Sequence, residues 1–226
     1  MGLDFKPQRD VMLAFTTPIA QITLAEGAEL NPKLTRLILD REASPPGHSS
    51  PGEVRSGERG WRSTGDFLTW SQPEVTALGE AFRDAVRHMV ALTTRTTRFE
   101  AEILVNAWAR VHRDGSYEKV HSSPGHHWSG LYVVQQGAAS PGWPESGVIE
   151  FLDPRGLIGT GRGPENPFGR GHPINPAAGT VVIFPGWLGR WMNPYYGKGE
   201  RIHVAFDARV RNLRMLDEAR DGATLQ

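Results

Sequence analysis

The chain has 226 residues, its 25 Lys and Arg are balanced by 25 Asp and Glu, and it contains no cysteine. Such a length fits one large domain with a sizeable core, and the balanced charge leaves no net field to draw in nucleic acid or an anionic membrane. No stretch nears the roughly 20 apolar residues of a membrane span, and any metal site has to be built from His, Asp and Glu rather than thiolates.

The N-terminal "MGLDFKPQRD" is charged and leads to no signal-like apolar core, so a cytoplasmic protein is expected. Residues 11–24 alternate loosely and predict one or two strands broken at Pro18. Leu34, Leu37 and Ile38 recur at helical spacing over 31–43, with Asn31 as cap and Pro32 in the first turn. The Pro-, Gly- and Ser-rich stretch 44–60 predicts a long mobile loop. Over 71–94 a capping box of Ser71 and Glu74 precedes one apolar stripe, Val75, Leu78, Phe82, Ala85, Val86 and Met89, which predicts a strong helix.

After residue 98 the pattern changes to strands separated by turn residues: 99–113, 129–136, 147–154, 179–186 and 201–210, with a Gly-rich insert at 155–179 too long for a turn. The expected fold is mainly β with flanking helices, a double-stranded β-helix (jelly roll, cupin-like). We expect one domain over 1–226, with N-terminal strands and buttressing helices in 1–98 and the jelly-roll core in 99–210.

Three histidines, His121, His126 and His127, stand just before the 129–136 strand in "KVHSSPGHHWSGLYVV". The turn "SSPG" returns the chain near His121, so a loop imidazole can complete a metal site, and imidazole suits Zn, Cu, Fe and Ni. His203 on the 201–210 strand is a further candidate ligand, while His112 is expected on a paired strand off the site. The alternative is a metal-free pocket lined by histidines. Trp108, Trp128, Trp187 and Trp191 are expected around that pocket, as walls for an apolar or flat substrate.

The order "GSYEKVHSSPGHHWSGLYVV", "GVIEFLDPRG", "PAAGTVVIFPGWLGRWMNP" and "GERIHVAFD" resembles the 2-oxoglutarate/Fe(II) oxygenases of bacteria and phages, over nearly the whole chain. The resemblance implies Fe(II) and 2-oxoglutarate as cofactors and a small-molecule or peptide substrate, while the balanced charge and the lack of an apolar span lead us to expect no nucleic-acid or membrane partner. It implies His121 as the first iron ligand and Arg201 as the residue that pairs with the far carboxylate of 2-oxoglutarate, a task that suits a bidentate guanidinium. Tyr132 matches a family aromatic that either faces the co-substrate or packs in the core. Two matched positions depart from the pattern. Ser123 stands where the family has its second ligand, and Arg190 where it has the downstream His. Serine is a poor Fe(II) ligand and a guanidinium cannot be one, since it stays protonated.

Three outcomes are therefore open. One is an oxygenase-like protein that hydroxylates a small molecule or peptide. Another is an inactive binding module whose Arg190 and Arg201 hold a carboxylate ligand. The third is a cupin-like enzyme with a metal held by His121, His126, His127 and His203.

Overall fold

The computed structural model describes residues 6, 15–44, 60–154 and 171–216. Most of the expected 44–60 loop, most of the 155–179 insert and the first part of the 11–24 strand lie outside the described residues. The elements in chain order are β1 (Ala20–Thr23), α1 (Gly27–Ala43), β2 (Gly60–Arg62), a short 3-10 turn (Phe67–Thr69), α2 (Pro73–Thr94), β3 (Phe99–His112) and β4 (Ser116–His121). There follow β5 (Trp128–Gln135), β6 (Ala138–Ala139), β7 (Ile149–Phe151), β8 (His172–Ile174), β9 (Thr180–Pro185), β10 (Arg190–Tyr195), β11 (Gly197–Lys198) and β12 (Arg201–Met215).

The strands form two antiparallel sheets, a major one ordered β1-β9-β5-β12-β3-β2 and a minor one ordered β4-β10-β7-β8, with β6 and β11 as a small ribbon. This is the expected jelly roll. Its longest pair is β3 with β12, matched from Phe99 opposite Met215 to His112 opposite Arg201. Because side chains alternate along a strand, that pair sorts its residues onto two faces. Val105, Ala107, Ala109 and Val111 of β3, with Ile202, Val204 and Phe206 of β12, join the core beneath the helices. Trp108 and Ala205 turn to the other side and join Leu131, Val182, Phe184, Phe151 and Met192 between the two sheets.

The helices cover the outer face of the major sheet. The α2 stripe of Val75, Leu78, Phe82, Ala85, Val86 and Met89 is buried, and Phe82 stacks on Phe206 with ring centroids 4.2 Å apart. The expected capping box does not form. Gln72 is the cap and Pro73 takes the first helical position, where its missing N–H costs nothing. Helix α1 begins at Gly27 rather than after Asn31, so Pro32 lies inside it. At that start a Cβ on Gly27 would lie 3.0 Å from Gly179 Cα, a close approach that glycine permits. No helix among the described residues is long and apolar enough to cross a membrane.

Phe82→Ala should destabilise the protein by about 3–5 kcal/mol, since it empties a fully buried ring site. Leu92→Ala, on the exposed side of the same helix, should stay within about 0.5 kcal/mol. Urea denaturation of both variants checks the pair.

Candidate active site

The inner face of the major sheet carries a polar row that the register lays out. On β12, Arg201, His203, Ala205 and Asp207 stand opposite His112, Arg110, Trp108 and Asn106 of β3. Strand β2 sets Arg62 beside Arg110, and β5 sets Ser129 beside Asp207. The minor sheet answers across the interior. Met192 pairs with Glu118 and Arg190 with His121, so two steps along β10 face three along β4. The extra β4 residue is a bulge, which re-aims side chains and brings both Glu118 and His121 to the inner side.

Glu118 is the hub. Its Oε1 lies 2.6 Å from Arg110 Nη1 and 3.3 Å from both His112 Nε2 and His203 Nε2. Its Oε2 lies 3.7 Å from His121 Nε2. The His112 and His203 rings stack with centroids 4.9 Å apart, and His112 Nδ1 contacts Ser116 Oγ at 3.0 Å. One ligand atom each from His112, Glu118 and His203 lie within 4.8 Å of one another.

Burial governs the protonation states. It pushes His203 down to about 4, and lowers His112 as well, so both imidazoles are neutral near neutral pH. Burial alone would raise the Glu118 carboxyl, but Arg110 and the two imidazoles together outweigh it and hold it well below the usual carboxylate range. Arg201, almost fully buried, is lowered to about 10 by desolvation.

The predicted site residues fall into three places. His121 and His203 both reach Glu118. Arg190 faces His121 in the register, donates from Nη2 to Ser129 Oγ at 3.0 Å and lies over the Phe184 ring at 4.7 Å. Ser123, also buried, shares Ser129 Oγ at 3.3 Å. Arg201 donates to the Gln136 side-chain carbonyl. His126 and His127 are not brought to this group: His126 Nδ1 sits 3.9 Å from Asp207 Oδ2, and exposed His127 accepts the Val210 N–H through Nδ1. Tyr132 points to the helix side of the sheet, where its hydroxyl donates to Asn31 Oδ1 at 2.7 Å. It occupies an even position opposite Val204, so alternation turns it away from the polar row.

His112 is a correction: expected off the site, it is fully buried within it. Glu118 was not anticipated at all. Of the tryptophans, Trp108 and Trp191 border the interior, Trp187 lines an outer groove and Trp128 belongs to the helix-side core.

With this geometry the comparisons become informative. Residues 106–207 match the family model described as "Putative 2OG-Fe(II) oxygenase". Over this span the chain is similar to that family. The matched span runs from within β3 to within β12 and contains every residue of the polar row except Arg62. No curated protein matches the chain. Among solved structures, a Pseudomonas putida prolyl-4-hydroxylase superposes with TM-score 0.58 at 18% identity, covering 86% of this chain and 94% of its own. HygX from Streptomyces hygroscopicus, solved with nickel and 2-oxoglutarate bound, has TM-score 0.56 at 14% identity, covering 86% and 83%. A Trichoplax adhaerens prolyl hydroxylase, solved with a hypoxia inducible factor peptide fragment, has TM-score 0.56 at 12% identity, covering 84% and 83%. At these identities the shared property is the oxygenase jelly roll.

The buried neutral imidazoles make stability depend on pH. His203 has a folded pKa below its ordinary 6.5, so the unfolded chain binds more protons and stability falls as pH drops from 6.5 toward 4. At about 1.4 kcal/mol per unit, His203 alone should account for roughly 3 kcal/mol over that range. Denaturation of chelator-treated protein at about pH 7 and pH 5 reads the slope, and His203→Gln should flatten it.

Proposed function

We propose that the protein is a 2-oxoglutarate- and Fe(II)-dependent oxygenase-like protein that anchors the 2-oxo acid on Arg201 and acts on a small molecule or a peptide. The observation that carries this is Arg201 itself. It is buried at the start of β12, and among the described residues its hydrogen-bond partner is the neutral Gln136 amide rather than a carboxylate. A desolvated guanidinium that feels Glu118 without hydrogen-bonding a carboxylate is costly, and a dicarboxylate would relieve that cost through bidentate hydrogen bonds.

An Fe(II) ion at the family's own position does not fit these side chains. His121 is kept there, but Ser123 offers a hydroxyl already shared with Ser129, and Arg190 brings a positive charge into the same place. On this reading Ser123 and Arg190 have replaced two family ligands, and that position no longer holds iron. Fe(II) and 2-oxoglutarate, when bound, would supply the chemistry that activates O₂, the oxidant; the chain binds and orients. A groove of about 760 Å³ lined by Phe15, Ile19, Phe151, His172, Trp187 and Leu188 supports a substrate of small-molecule or short-peptide size. It begins at Phe151, the register partner of Arg190.

A second reading, a carboxylate-binding module without turnover, is favoured by the two buried guanidiniums, Arg190 and Arg201, the first of which stands where iron would need a ligand. The cavity bounded by Glu118, Leu131, Arg190, Trp191 and His203 has a volume of only about 10 Å³, room for one water or ion. A larger ligand requires those side chains to part.

Millimolar 2-oxoglutarate, with and without Mn(II), should raise the thermal midpoint of the wild type. Binding confined to the native state contributes about 2.7 kcal/mol at a hundredfold excess over Kd. Arg201→Ala should erase the shift, and a wild type that shows none in either condition rejects the anchor. Release of succinate under aerobic conditions with Fe(II) then separates the oxygenase from the module: stabilisation without succinate favours the module.

A further inference from the structure

We propose that His112, Glu118 and His203 form a binding site for one divalent transition-metal ion, Fe(II) or Zn(II), displaced from the family's position onto the inner face of the β3–β12 pair. This deepens the oxygenase-like reading by giving it a metal centre that Ser123 and Arg190 cannot supply.

The donor set has the right chemistry. Two imidazoles and one carboxylate suit both non-haem Fe(II) and Zn(II). The geometry points the same way. An imidazole N–H that donates to a carboxylate closes to about 2.7–3.2 Å, yet both Nε2 atoms stand at 3.3 Å from Glu118 Oε1. With metal–ligand distances of about 2.0–2.2 Å, neighbouring ligands of one ion lie roughly 3 to 3.5 Å apart, which the two Glu118 contacts match; the three ligand atoms span up to 4.8 Å, so the imidazoles have to draw inward as an ion binds. His112 is completely buried, and its Nε2, aimed at Glu118, has no hydrogen-bond partner. Glu118 Oε1 likewise meets no donor in good alignment, although Arg110 Nη1 is 2.6 Å away. The orientation of His112 is held from behind by Ser116 Oγ on Nδ1, the arrangement by which metal-ligating histidines are usually fixed. The cavity of about 10 Å³ beside Glu118 and His203 is lined by Arg190 and not by His112, so it lies next to the three donors rather than between them.

The surrounding charges add a second expectation. Arg62, Arg110, Arg190 and Arg201 face Glu118 and Asp207 across this interior, so a dication enters a place already rich in positive charge. A dianion offsets that charge. Arg201 stands two residues from His203 on the same face, about 6.6 Å along the strand. Metal and 2-oxoglutarate should therefore each tighten the other's binding by the same factor, at least about fivefold.

The test uses full-length protein stripped with chelator and titrated with Fe(II) without oxygen, or with Zn(II), in the absence of 2-oxoglutarate. Metal retained after gel filtration should reach one ion per chain. His112→Gln and His203→Gln should weaken retention by at least about tenfold, while His121→Ala should keep the ion. Should a ligand variant not fold, Ser116→Ala disturbs only the contact behind His112 and should still weaken binding about tenfold. A wild type that retains neither ion, unchanged affinity in Ser116→Ala, or loss in His121→Ala with retention in His112→Gln would each overturn the site. Because the readout is metal alone, its failure leaves the Arg201 result standing, and a missing 2-oxoglutarate shift leaves this site standing.

Discussion

A carboxylate between two packed sheets persists only where cations and hydrogen bonds repay its lost hydration. Glu118 meets that condition chiefly through the charge of Arg110, with the imidazoles of His112, His203 and His121 gathered around it. Its negative charge in turn makes the neighbouring guanidiniums tolerable. Glu118 is felt electrostatically by Arg62, Arg190 and Arg201, residues from three different strands. Removing it would leave several buried cations facing one another, which is why the polar interior is better regarded as one charged unit than as separate pairs.

The β3–β12 ladder makes such an interior compatible with a stable fold. Its alternation delivers aliphatic and aromatic groups to the helix side and the charged groups, together with Trp108 and Ala205, to the barrel side. Stability and chemistry are thus carried by opposite faces of the same strands. Phe206 packs on Phe82, while its neighbours Ala205 and Asp207 belong to the interior. The minor sheet then adds a second carboxylate to Asp207 of the major sheet, placed by the β4 bulge among several guanidiniums.

Much of this was legible in the sequence. Short apolar runs between Gly and Pro breaks, together with one long amphipathic helix, are enough to imply a jelly roll with outside helices, and the spacing of "GERIHVAFD" set Arg201 and His203 on one face. Glu118 was hidden because period-2 counting from His121 assigns it to the opposite face; only a bulge, which has no local signature in "SYEKVH", returns it inward. His112 was missed because it pairs with Arg201 rather than with His203, and its contact to His203 is diagonal, set by a register that one strand alone does not reveal. The visible signals pointed instead to His126 and His127. Adjacent residues on a turn face different ways, and these two found partners in Asp207 and the Val210 amide.

The central claim is one of position: the metal-binding chemistry has moved from the His121, Ser123 and Arg190 corner to the His112, Glu118 and His203 face. Anomalous diffraction from crystals grown with Mn(II) in place of Fe(II), recorded at the manganese edge, tests it most directly. The account predicts one strong peak about 2.0–2.2 Å from His112 Nε2, His203 Nε2 and a Glu118 oxygen, with the Arg190 guanidinium still over Phe184. A peak beside His121 and Ser123 with Arg190 swung away, or a fully ordered interior with no peak at all, would contradict it.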